Sequence, residues 1–223
     1  MSTTVDAYLE AGKKRVFAGA LEWPGWCRAA RDDDAALEAL AVYAPRYAAA
    51  LGRAGIKPPP GRPAFRVVER LKGDATTDFG APGTPPRFDS APLARAGLKR
   101  PAKILEASWS AFDAAAKHHA RATLSTGPRG GGRSLGKIVA HVLEADAAYL
   151  SRLGGRYRTG ATKPAEDMRR MRAAFLEMLA FRAEGGTPEK GRRTAPLWTP
   201  RYAIRRSAWH ALDHAWEIED RAG

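Results

Sequence analysis

Two histidines, His210 and His214, stand four residues apart, so on a helix they lie one turn apart on one face and can both bind a single ion without distorting the backbone. Beside them Ile204, Ala208, Ala211, Ala215 and Ile218 form an apolar stripe that must face a core, which sets the two imidazoles at its shoulder. A third candidate, His141, adjoins the apolar face marked by Leu135, Ile138, Val139, Val142 and Tyr149, with Ala145 and Ala148 leaving space along the same side. Three neutral imidazoles favour zinc, nickel, cobalt or iron over magnesium or calcium, and they leave a coordination position open. Each residue also has an ordinary reading. HxxxH arises by chance, and a lone helical histidine is commonly a surface residue or a satisfied core one. The single cysteine, Cys27, excludes both an intrachain disulfide and a cysteine-based zinc site, so a metal here must rest on His, Asp or Glu.

Around these three, Asp213, Glu217 and Glu144 are close enough in sequence to orient an imidazole N–H, although Asp213 and Glu217 suit surface salt bridges equally well. Trp209 and Trp216, seven residues apart, read as core or interface packing in preference to substrate stacking. His118 and His119 fit a packed or surface role, and Cys27 reads as a buried thiol at a strand start.

The elements that must position these groups change character near residue 74. Before it, Thr4 to Glu10 and Arg15 to Glu22 are short and rich in Val, Phe, Tyr and Leu, joined by a turn at Ala11 to Lys14, and predict a β-hairpin. A short strand near Cys27 to Ala30 follows. A helix from Asp32 to about Gly52 comes next, capped by acids and with a local objection at Pro45, and Phe65 to Leu71 supplies a last strand. Residues 1–73 therefore predict a β-β-β-α-β unit. Residues 74–97 are loaded with Gly, Pro, Thr and Asp and predict a linker, or a loop wrapped on the next domain. Residues 98–223 hold four helical stretches, about 98–124, 134–154, 164–184 and 200–221, separated by Gly- and Pro-rich breaks, and predict an antiparallel four-helix bundle. The fold class is α+β.

Composition bounds the function classes. The chain has 223 residues, 44% apolar and 27% charged, with no apolar run long enough to span a membrane and no secretory signal pattern at its start, so a cytoplasmic location is the default. The net charge of +13 is spread as +4, −1 and +10 over residues 1–73, 74–97 and 98–223, with short clusters at Arg169 to Arg172, Lys190 to Arg193 and Arg205 with Arg206. Scattered among acids on helices, this charge reads as a solvated basic surface, not a nucleic-acid footprint.

Two stretches carry a resemblance. LGKIVAHVLEADAAYLSRL, from Leu135 to Leu153, and RYAIRRSAWHALDHAWEIEDR, from Arg201 to Arg221, resemble the DinB-like proteins over about the last 125 residues. That resemblance implies a four-helix bundle in which one histidine of the second helix and an HxxxH pair of the fourth surround a divalent metal, here His141, His210 and His214. VFAGALEWPGWCRAARDDDAALEALAVYAPRYAAAL, from Val16 to Leu51, resembles the small HicB-like antitoxin module, which pairs with a partner or sits as an accessory domain.

Relatives of the DinB-like bundle include enzymes that join low-molecular-weight thiols to electrophiles, others suspected of hydrolysis and many of no known activity, so the resemblance implies a metal-dependent thiol S-transferase or hydrolase with a small-molecule substrate. Arg201, Arg205 and Arg206 are the candidate anion contacts. The alternative is a non-enzymatic stress or regulatory protein whose HicB-like half binds a protein or nucleic-acid partner. No carboxylate stands at a diagnostic offset as a general base, and a homodimer is left open.

Overall fold

In the computed structural model, the structure describes residues 4–52, 54–126, 132–160, 162–189 and 196–222. The first half forms a four-stranded sheet of β1 (Thr4–Ala11), β2 (Val16–Ala20), β3 (Cys27–Ala30) and β4 (Ala64–Lys72). Its order is β3-β2-β1-β4, antiparallel except for the parallel β1–β4 pair. A parallel neighbour needs a crossover, and the helical segment after β3 provides it.

That segment is two helices. The expected single helix breaks at Tyr43 into α1 (Asp33–Val42) and α2 (Ala44–Gly52), because Pro45 lacks an N–H and is tolerated only in a first turn. Asp32 caps α1 by accepting from the backbone N–H of Ala35. Val5, Ala7, Leu9, Ala18 and Ala20 pack with Leu40, Tyr47 and Leu51 on this face of the sheet. The alternate residues of the strands, Tyr8, Phe17 and Cys27, are also buried, so both faces are covered. Burial pushes the Cys27 thiol up to about 12, which keeps it protonated and inert as a nucleophile.

The second half is built of α4 (Arg95–His118), α5 (Leu135–Leu153), α6 (Pro164–Ala183) and α7 (Pro200–Ala222). They surround one core of Leu105, Phe112, Ile138, Val142, Leu150, Met171, Phe175, Leu179 and Ile204. Among the described residues no helix is long and apolar enough to cross a membrane.

The two halves share material. Ile104 and Ala107 of α4 and Leu212 and Trp216 of α7 belong to the hydrophobic cluster of the sheet half, and Trp209 packs edge-on against Phe17. Trp209 and Trp216 are thus interface residues, as their spacing implied. Gly25, in the Trp23-Pro24-Gly25-Trp26 turn, has a positive φ of 90°, and a Cβ there would press on Ala208 and Leu212 of α7. Residues 74–97 are packed and not a free tether. Asp74 caps the short α3 (Ala75–Phe79), and a 3-10 turn follows at Arg87–Ser90. Its Asp89 is buried in a two-point ion pair with Arg205, whose guanidinium also donates to the carbonyls of Ala20 and Leu21. One side chain of α7 therefore ties down the end of β2 and the connecting segment together.

Candidate metal centre

α7 is buried nearly all round, from Tyr202 to Arg221, and it lies between the sheet half and the bundle. Its alanines at 203, 208, 211 and 215 let neighbouring backbones approach closely, and its polar Arg205, Arg206, His210, His214 and Arg221 are buried as well. α5 runs alongside it, starting after Ser134 and ending at Gly154, which takes the left-handed conformation that helix ends favour. His141 of α5 faces His210 and His214 of α7 across this seam.

The three rings converge through one kind of atom. His210 Nε2 lies 3.2 Å from His141 Nε2 and 3.2 Å from His214 Nε2, and one ligand atom from each residue falls within 4.8 Å of the others. Nitrogens bound at the zinc–imidazole distance in a tetrahedral shell are separated by about 3.3 Å. His210 and His214 are 6% and 8% exposed, whereas His141 is half-buried, so the cluster opens on the α5 side.

Protonation supports a cation site. His214 Nδ1 is 2.7 Å from Glu217 Oε2, and Glu217 is held down to about 2, first by that hydrogen bond and then by Arg221. An ionised carboxylate only accepts, so His214 carries a proton on Nδ1, which leaves Nε2 as the nitrogen turned to the centre. Burial drives His210 well below its ordinary value, and burial together with His214 lowers His141, so both rings are neutral near pH 7. His210 Nε2 faces both neighbours, so a proton on it is shared between two contacts in a three-centre bond. Three ring nitrogens turned on one point at these separations also form a group that could hold a metal ion. His210 Nδ1 is buried without a partner, the one loose end in the set.

Outside the rings, Arg221 anchors Glu217 by a 2.6 Å bond. It also donates to the carbonyls of Ser125 and Arg133, and Ser125 in turn donates twice to the Arg221 carbonyl. Of the three acids considered from sequence, Glu217 alone contacts an imidazole. Asp213 pairs with Arg28 of β3 at 2.9 Å, and Glu144 is exposed. His118 and His119 lie at the end of α4, rings 4.7 Å apart, along a groove of about 790 Å³ with Arg46, Trp216 and several alanines. They take no part in the cluster.

Sequence reasoning missed the surroundings. Tyr149, assigned to packing, sits with its ring 5.8 Å from His210 and 5.2 Å from Trp198. The seam also holds a second polar cluster, in which Ser207 donates to Asp146 at 2.5 Å and accepts from Trp109 Nε1 at 3.0 Å. Arg221 was legible as an i,i+4 partner of Glu217. The Asp146 cluster joins three helices and left no local signal.

Of the candidate anion contacts, Arg205 is spent on Asp89, Arg201 donates to the Ala91 carbonyl, and Arg206 meets no carboxylate among the described residues. The basic clusters are likewise partly paired: Arg169 and Arg170 with Glu166, and Arg172 with Asp113. The Lys190 to Arg193 cluster lies outside the described residues. No family model, curated protein or solved structure matches the chain.

Proposed function

We propose that this protein binds one divalent metal ion on His141, His210 and His214 and uses it, as DinB-like proteins do, in thiol transfer to an electrophile or in hydrolysis of a small molecule. The observation that carries the reading is the convergence of three imidazole Nε2 atoms at coordination spacing, with His214 held through its Nδ1 by Glu217. When bound, such an ion lowers the pKa of a thiol or water so that a nucleophile exists at neutral pH. The chain's own residues supply the rest. Glu217 and Arg221 hold His214 in register, and the half-buried His141 side gives a small molecule its approach.

Metal analysis of the purified protein tests the site, with about one ion per chain expected, drawn from zinc, nickel, cobalt or iron. Full occupancy in His210→Ala would remove it. Metal-loaded protein is then offered a panel of thiols with electrophiles and of hydrolysable substrates. Turnover no greater than that of the metal-free control would end the catalytic reading.

A second reading draws on the free edge of β4, where Val67 and Val68 are exposed. In it the sheet half, as a HicB-like module, docks a macromolecular partner and the metal only stabilises the bundle. A partner that binds wild type and His210→Ala equally would favour it.

A further inference from the structure

Arg205 and Arg206 are neighbours on α7, 3% and 7% exposed, and they meet opposite circumstances. Arg205 closes its Nε/Nη2 edge on Asp89, at 2.6 and 2.9 Å, the two-point match of a guanidinium to a carboxylate. The same edge of Arg206 has no carboxylate partner among the described residues. Its Nη1 donates to the Pro82 carbonyl at 2.5 Å, its Nη2 reaches the Tyr149 hydroxyl at a long 3.3 Å, and its Nε is buried without a partner. Glu10 is the acid that acts on Arg206 only through space. Its two oxygens already accept from Thr77 Oγ1 and from the backbone N–H groups of Gly83 and Thr84. A buried cation is ordinarily retained only when paired.

Position gives the unpaired edge its meaning. Arg206 precedes His210 by one helical turn and stacks on Tyr149 and Trp209, at 5.4 and 5.0 Å, the two rings that also flank His210 at 5.8 and 6.0 Å. The Tyr149 hydroxyl accepts from Arg206, while its own proton goes to no acceptor among the described residues. Arg206 Nε–H and Tyr149 O–H are therefore two donors beside the three-histidine centre with nothing to donate to.

We propose that Arg206 and Tyr149 form an anion subsite that seats the carboxylate of a small substrate against the three-histidine centre. This deepens, and rests on, the reading of that centre as a metal site. A carboxylate fits better than a phosphate dianion, because two donors and one positive charge match its two oxygens and single charge. Arg206 Nε is buried and Tyr149 half-buried, so the carboxylate reaches this edge by replacing the long Nη2–Tyr149 contact and then accepts from both groups.

Calorimetric titration of the metal-loaded protein with 3-mercaptopropionate and with 2-mercaptoethanol tests the subsite. Wild type should bind the carboxylate-bearing thiol at least about tenfold more tightly. Arg206→Gln should lose that preference with metal content unchanged, and Tyr149→Phe should reduce it. Should Arg206→Gln fail to fold, Arg206→Lys keeps the charge without the fork and should lose most of the preference. Equal preference in wild type and the Arg206 variants, or none in wild type, overturns the subsite. Propionate titrated into metal-free protein separates the two proposals. Arg206-dependent binding there, in a protein that takes up no metal, would retain the subsite and reject the metal centre. Metal uptake without Arg206-dependent binding would do the reverse.

Discussion

The seam between α5 and α7 carries two buried polar clusters, and they are opposites. At Asp146, Ser207 and Trp109 donors and acceptors are matched in one line, indole N–H to hydroxyl and hydroxyl to carboxylate, and only Asp146 Oδ2 is left over. At His141, His210 and His214 like atoms are gathered together, and the two close contacts both fall on the single Nε2 of His210. A cluster that closes on itself specifies packing. One whose ring nitrogens converge on a point has room for a cation, and the proposed metal centre rests on that difference in geometry, which residue type alone does not carry.

The contrast breaks most visibly at its metal side. His210→Ala should lower metal affinity by more than about 100-fold, removing the ligand common to both close contacts, while the folded state persists. Inductively coupled plasma analysis after dialysis against chelator reads it, and retained metal would sink the contrast outright. Glu217→Gln should weaken binding by roughly 10- to 100-fold, because it loses the charge that fixes the His214 tautomer, whereas Asp213→Asn should leave affinity unchanged.

The Asp146 side answers to pH. Burial raises this carboxyl to about 6, above its unfolded value of 3.8, so the folded state is penalised once it ionises. The penalty is fully present above pH 6 and fades as pH falls toward 4. Asp146→Asn should thus gain about 1 kcal/mol or more over wild type at pH 7.5 in denaturant unfolding, an advantage that shrinks toward pH 4.5. A constant offset across that range would show that the cluster is not titrating. The smallest effect is expected at His118→Ala with His119→Ala, where metal content should not change, since these rings lie along the α4 groove and away from the seam.

Much of this was readable before any coordinates. Short runs rich in Val, Phe, Tyr and Leu located β1, β2 and β4, Gly and Pro breaks located the four long helices, and the i,i+4 pair with His141 on a second amphipathic helix marked the cluster. Pro45 stood as a local objection within one expected helix, and the chain in fact parts there into α1 and α2. What stayed hidden depends on contacts between distant segments. Asp146 and Ser207 are 61 residues apart and Trp109 and Ser207 are 98 apart, and no local period reports such pairs. For residues 74–97 composition left a linker and a wrapped loop both open: Gly and Pro content describes backbone shape, while the packing rests on single buried residues such as Thr77, Asp89 and Leu93. The unequal fates of Arg205 and Arg206 were equally unreadable, because the chemistry of two adjacent arginines differs only in what the rest of the chain brings to them.

The placement of α7 has a consequence for how the protein is made. This helix supplies Leu212 and Trp216 to the hydrophobic cluster of the sheet half, Ile204 and Ile218 to the bundle core, and Arg205 to the junction between them, yet it follows every other described element in the chain. During synthesis neither half can close before residues 200–222 have left the ribosome. The nascent chain therefore carries two open apolar surfaces until then, and its need for chaperone protection should end abruptly when α7 docks.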